Sequence, residues 1–226
     1  MTSLLIDCEA TQTSQLFVAA AAQCSDISVK GLTFVGDSGF ETSLPAAYGA
    51  PSPLLAKRDI GAGCWTPRKS AVEFMSEVAE AEDELTVCTV GPLTNVAAFI
   101  LSSPHLAAKV KQYVVLGGAI FGGDVTPCAE RNFCRDPEAA AIVVESRLPL
   151  VIVPLEAAND GLWAVPLLYL TDPGSLVIER HNIRVELESP MSRGCSVVDL
   201  LNRDRNGAMA DIVMQADKSA LARLLS

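Results

Sequence analysis

Five short apolar runs, Ser3–Asp7, Ile27–Val35, Leu85–Val90, Tyr113–Gly117 and Pro149–Leu155, are dominated by Val and Leu and show little polar alternation. A strand with one wet face alternates apolar and polar residues, whereas a strand covered on both faces does not. The runs are therefore expected to be buried parallel strands. Between them, Gln12–Gln23, Ser70–Glu82, Thr94–Ser102 and Pro137–Ser146 carry helical spacing or strong helix formers. This β-α-β-α rhythm predicts an α/β fold: a doubly wound, mainly parallel sheet with helices on both faces. The longer alternating run Leu176–Leu187 predicts a C-terminal hairpin or edge strand, and Leu200–Asn206 and an Asp217–Leu225 helix close the chain.

With 226 residues, half of them apolar, the chain can bury one sizeable core, and residues 1–226 are expected to form a single domain. A net charge of −10 with scattered Lys and Arg argues against nucleic acid as a partner. No apolar run is long enough to cross a bilayer without interruption, so membrane insertion is not expected. The first residues carry Asp7 and Glu9 in place of a basic leader. Seven cysteines form no CxxC pair, which suggests neither a zinc site nor a disulfide framework. The chain is expected to be intracellular, in a reducing compartment, either cytoplasm or an organelle matrix such as the mitochondrial one.

Sites on such sheets lie at the carboxyl ends of the strands. Attention therefore falls on Asp7–Ser14, Gly36–Gly39, Gly91–Asn95, Gly117–Asp136 and Glu156–Trp163. Asp136-Pro137-Glu138-Ala139-Ala140 is an N-terminal helix signal: Asp caps, Pro suits the first helical position and Glu complements the dipole. Its company adds a second meaning. Gly91-Pro92-Leu93-Thr94-Asn95 directly follows one strand, Leu116-Gly117-Gly118-Ala119 ends the next, and Glu130-x-Asn132-x-x-x-Asp136-Pro137-Glu138 follows closely.

This ordered set resembles the inosine-uridine-preferring nucleoside hydrolases over nearly the whole chain. Leu5-Ile6-Asp7-Cys8-Glu9 resembles the family's first strand and acidic loop, and Gly31 to Asp37 resembles the second strand with its ligand-contacting turn. The resemblance implies an N-ribohydrolase chemistry, in which water attacks the anomeric carbon of a nucleoside while calcium at the first loop holds the ribose hydroxyls and the water. Calcium takes ~6–8 oxygen ligands. By the same resemblance, Asp7 and Glu9 are the remaining metal candidates, and Asp37, Asp124, Glu130 and Asn132 are vestigial substrate-binding candidates beside the sugar. Glu130 and Asn132 have an equally good alternative role, satisfying the backbone of a long loop.

The departures from the family pattern are concentrated at the chemistry. The family loop reads Asp-x-Asp-Pro-Gly-x-Asp-Asp; here it is Asp7-Cys8-Glu9-Ala10-Thr11-Gln12-Thr13-Ser14. Thr13 stands at the position the resemblance gives to the base, and a hydroxyl does not accept a proton at neutral pH as a carboxylate does. General-base assistance contributes ~10²–10⁴-fold. Leu162-Trp163 stands where the family places a His-Asp pair, and the helical substrate wall near residues 156–163 is mostly missing. No catalytic residue is therefore assigned, and no cofactor is expected, with calcium only if the residual site functions. Three readings follow: a catalytically impaired pseudoenzyme serving a homo-oligomer or larger complex; a residual calcium-dependent hydrolase; or a module that binds ribose or a nucleoside without cleaving it. Leu162, Trp163, Leu167, Leu168 and Tyr169 are expected either at an exposed apolar patch left by the missing helices or in an ordinary core. His105 and His181 are expected to be exposed or pairing residues, not catalysts.

Overall fold

A computed structural model describes residues 1–36, 39–40, 42–49, 69–158, 160–204 and 206–225. Its strands are β1 (Thr2–Cys8), β2 (Ile27–Phe34), β3 (Ala46–Tyr48), β4 (Leu85–Thr89), β5 (Gln112–Leu116), β6 (Leu150–Val153), β7 (Leu176–Val185), β8 (Ser196–Asp199) and β9 (Ala208–Ala216). The helices are α1 (Gln12–Gln23), α2 (Ala71–Ala81), α3 (Thr94–Ser102), α4 (Pro104–Ala107), α5 (Arg131–Arg135), α6 (Pro137–Glu145), α7 (Val165–Thr171) and α8 (Lys218–Leu224). Among the described residues the strands form one sheet in the order β3-β2-β1-β4-β5-β6-β9-β7-β8. Every pairing from β3 through to β9 is parallel, and β7 is antiparallel to both β9 and β8.

The non-alternating runs are explained by two cores. On β1, Leu4, Ile6 and Cys8 face a cluster with Phe17 and Val18 of α1, Leu167 and Leu168 of α7, and Leu221 of α8. Leu5 faces the other cluster, with Met75 of α2, Val96 and Phe99 of α3, and Val143 of α6. Successive strand side chains point to opposite faces, so a strand that feeds two cores must be apolar at both parities.

Local signals set the helix starts. The Ser70 side chain accepts from Glu73 N–H and the Glu73 side chain accepts from Ser70 N–H, closing a capping box on α2. Asp136 caps α6 by accepting from Ala139 N–H, with Pro137 in the first turn.

The β7–β8 pair meets the expectation of a C-terminal hairpin or edge strand, with β8 at the edge. No strand is expected after Leu187, whereas the structure has two: β8, which supplies the hairpin partner of β7, and β9, inserted between β6 and β7. Between β6 and α7 the described residues form two short 3-10 turns, Leu155–Ala157 and Leu162–Ala164. The exposed-patch alternative for this stretch is not met. Leu167 and Leu168 are fully buried, and Leu162, Trp163 and Tyr169 pack against the same core. Among the described residues no helix is long and apolar enough to cross a membrane.

Candidate active site

Asp7 sits at the carboxyl end of β1, fully buried, in register with Thr33 of β2. Its Oδ1 accepts from Thr33 Oγ1 at 2.6 Å and from Asn95 Nδ2 at 2.8 Å. Its Oδ2 is buried with no hydrogen-bond partner among the described residues. Burial, the largest influence, raises the carboxyl from its ordinary 3.8 to about 7; the Thr33 and Asn95 bonds pull it down, and Glu9 pushes it up further. A carboxyl in this state accepts or gives up a proton near neutrality.

Gly91-Pro92-Leu93-Thr94-Asn95 joins three strand ends. Gly91 lies against the Cys8–Glu9 peptide, where an added Cβ would stand 3.0 Å from Glu9 N. Thr94 donates to Asp136 Oδ2 at 2.6 Å, fixing the start of α6. Asn95 reaches Asp7 across 88 residues of chain, and a Cβ on Gly49 would lie 1.6 Å from Asn95 Oδ1, so the backbone there packs directly on the amide. Thr94 and Asn95 fall within the strand-end segment Gly91–Asn95, although neither they nor Thr33 stand among the predicted metal or substrate residues. The GPLTN motif itself was the available signal, but its contacts are long-range.

Glu9 follows the end of β1 with 15% of its side chain exposed, and its Oε1 pairs with Arg135 Nη2 at 2.8 Å. Thr13 is exposed on the first turn of α1. Ser14 is buried, with its N–H bonded to Thr11 Oγ1 at 3.1 Å and its hydroxyl 2.9 Å from the same oxygen. Thr11 thus serves as the N-cap of α1.

Among the described residues, the other predicted substrate residues make their own contacts, none of them with Asp7. Glu130 is buried and caps α5, accepting from Gly118 N at 2.9 Å, Asn132 N at 2.9 Å and Phe133 N at 3.2 Å. Burial, opposed by those three bonds, raises it from 4.5 to about 7. Asn132 Nδ2 donates to Leu116 O at 2.7 Å. Both side chains are engaged by the loop backbone. Asp124 is exposed and accepts from Arg131 N at 2.9 Å. Asp37 lies outside the described residues.

Two further side chains hold the strand-end loop after β5. Glu156 accepts from Ile120 N at 2.9 Å and from Phe121 N at 2.8 Å. Ser196 of β8 accepts from Ala119 N and donates to Ala119 O, each at 2.7 Å. His105 is exposed on α4, and His181 is buried beside Glu179, with Nε2 to Oε2 at 2.8 Å.

Calcium, which the resemblance implies, does not fit the donor set that the described residues supply. Among the described residues no group of three or more His, Cys, Asp or Glu side chains is disposed to hold a metal. Asp7 Oδ1 is already held by Thr33 and Asn95, and Glu9 already faces a guanidinium.

The family profile described as inosine-uridine preferring nucleoside hydrolase matches residues 8–168. The pyrimidine-specific ribonucleoside hydrolase RihA of Escherichia coli O81 (strain ED1a) is 30% identical over 191 residues, 70% of this chain and 61% of the relative; its O1:K1 / APEC counterpart matches equally. The chain thus spans 61% of the length of these curated relatives. Among solved structures, an inosine-guanosine nucleoside hydrolase superposes with a TM-score of 0.86 at 17% identity, covering 100% of this chain and 98% of that one. The plant nucleoside hydrolase PpNRh1 gives 0.85 at 17% identity, with 99% and 97% covered. A purine-preferring ribonucleoside hydrolase from Gardnerella vaginalis gives 0.82 at 16% identity, with 99% and 96% covered.

Proposed function

The chain belongs to the inosine-uridine preferring nucleoside hydrolase family, and from that premise we propose that it is a catalytically impaired member, kept as a structural or binding subunit of a homo-oligomer or larger complex. The observation that carries this reading is the Glu9–Arg135 ion pair at 2.8 Å. A divalent ion approaching Glu9 would meet a carboxylate already paired with a cation, and like charge from the guanidinium opposes it. Thr13 and Ser14 add only neutral hydroxyls, too weakly basic to activate water at neutral pH. Release of ribose from inosine, uridine and cytidine by the purified chain, with and without millimolar calcium, tests the proposal. Negligible turnover is expected, and calcium-dependent hydrolysis would overturn it.

A second reading, binding without cleavage, is favoured by Asp7 Oδ2. A buried carboxylate oxygen without a donor is costly, and a polyol hydroxyl or a bound water would supply one. The substrates in the relatives' names, pyrimidine or purine ribonucleosides, are the natural candidates. Calorimetric titration with ribose, uridine and inosine checks this: saturable heat that Asp7→Ala abolishes supports it, and no heat from any of the three rejects it.

A further inference from the structure

At the opposite end of the sheet from Asp7, the amino-terminal ends of β5, β6 and β9 enclose a cleft of about 520 Å³. This is within the ordinary range for small-molecule pockets, roughly 300–1,000 Å³. Its walls carry three cations, Lys111, Arg147 and Arg180, against one carboxylate, Asp211, although the chain as a whole carries −10. Lys111 pairs outward with the exposed Glu84 at 2.6 Å, and Arg180 pairs with Asp211 at 3.2 Å. Exposed pairs of this kind contribute little and exchange readily. Leu148, Pro149 and Met209 supply apolar wall, and the Tyr169 hydroxyl is held by Gln112 Oε1 at 3.0 Å.

Arg147 sets this cleft apart. It follows the α6 C-cap Ser146 with φ +59, one of two non-glycine residues in the left-handed region among those described. That position is ordinarily glycine, because a Cβ there is strained. The Arg147 side chain makes no hydrogen bond or ion pair among the described residues. The fold therefore holds a strained backbone at a position where the side chain serves no internal contact.

We propose that the cleft binds a compact multivalent oxyanion, with Arg147 as its anchoring guanidinium and Lys111 and Arg180 as flanking cations. A planar guanidinium engages phosphoryl or carboxylate oxygens in pairs, which explains an arginine here better than a lysine. The site is independent of the Asp7 region and of whether that region retains any chemistry.

The test is calorimetry and thermal denaturation of the whole chain with sodium pyrophosphate and with citrate, each against sodium chloride at matched ionic strength. The wild type is expected to bind at least one of the two with a dissociation constant below about 1 mM and to melt higher in its presence. Preference for pyrophosphate identifies a phosphoryl ligand, and preference for citrate a polycarboxylate. Arg147→Gly should weaken binding by at least roughly tenfold while melting, without ligand, at the same or a higher temperature, since glycine adopts this conformation freely. Arg147→Asn, which also tolerates the left-handed region, serves as the second variant. Equal responses from wild type and both variants, or no response beyond that of chloride, would overturn the proposal.

Discussion

Replacing Asp7 with Asn gives a direct measure of what the buried carboxyl costs. Its proton is held to about 7 in the folded chain against an ordinary 3.8. The folded state therefore binds the proton more tightly than the unfolded one, and the sign follows. Stability from this group is fully present below pH 3.8, falls as pH rises toward about 7, and is flat beyond. The window spans about three pH units at ~1.4 kcal/mol each, so ~4 kcal/mol is at stake as an upper figure. Asn95 and Thr33 can still donate to an amide oxygen in Asp7→Asn, and the amide nitrogen takes the place of the orphaned Oδ2. An unmet amide donor there costs ~1–3 kcal/mol at any pH. The variant should thus be equal or weaker near pH 4.5, gain on the wild type by up to ~3 kcal/mol as pH rises to about 7, and hold that difference beyond. Glu130 titrates in the same window but is common to both chains and cancels in the difference. Urea denaturation of both proteins at a series of pH values measures that difference. A gap constant to within ~1 kcal/mol across the range would refute the reasoning.

Glu130→Ala should destabilise by roughly 3–5 kcal/mol, because it strands three backbone N–H groups of Gly118, Asn132 and Phe133; an unchanged urea midpoint would show that the carboxylate does not cap α5. Gly49→Ala should cost roughly 1–3 kcal/mol by forcing Asn95 off Asp7, and a melting curve identical to wild type would contradict the close backbone approach. Arg135→Ala should change stability by less than ~1 kcal/mol, as expected of a half-exposed pair; a larger loss in the denaturation midpoint would mean that Arg135 supports the fold beyond its contact with Glu9.

The sheet and its helices were legible where the cause is local. Thr94–Ser102 and Gln12–Gln23 match their sequence-based bounds, because no Gly or Pro interrupts either and Thr11 supplies a cap for the second. Asp136-Pro137 announces α6 for the same reason. By contrast, β9 reads Ala-Met-Ala-Asp-Ile-Val-Met-Gln-Ala, with Asp211 and Gln215 diluting the apolar run, and only its docking between β6 and β7 makes it a strand. The site divides in the same way. The motifs identified the family, while the assignment of Glu130 and Asn132 to the sugar side depended on where their side chains turn. Both bond to the loop backbone, including Gly118 and Leu116, 12 and 16 residues away. The Asn95–Asp7 and Ser196–Ala119 contacts, 88 and 77 residues apart, leave no trace in any local pattern.

The insertion of β9 between β6 and β7 bears on how the chain leaves the ribosome. Synthesis delivers β6, then β7 and β8, and only afterwards the strand that must lie against β6. Until Ala208–Ala216 has emerged, Leu150–Val153 is an apolar edge with unpaired backbone groups, a template for strand addition by any neighbouring nascent chain. A ribosome stalled before Ala208 therefore holds a half-closed sheet, and chaperone demand should peak in that interval, falling once β9 docks.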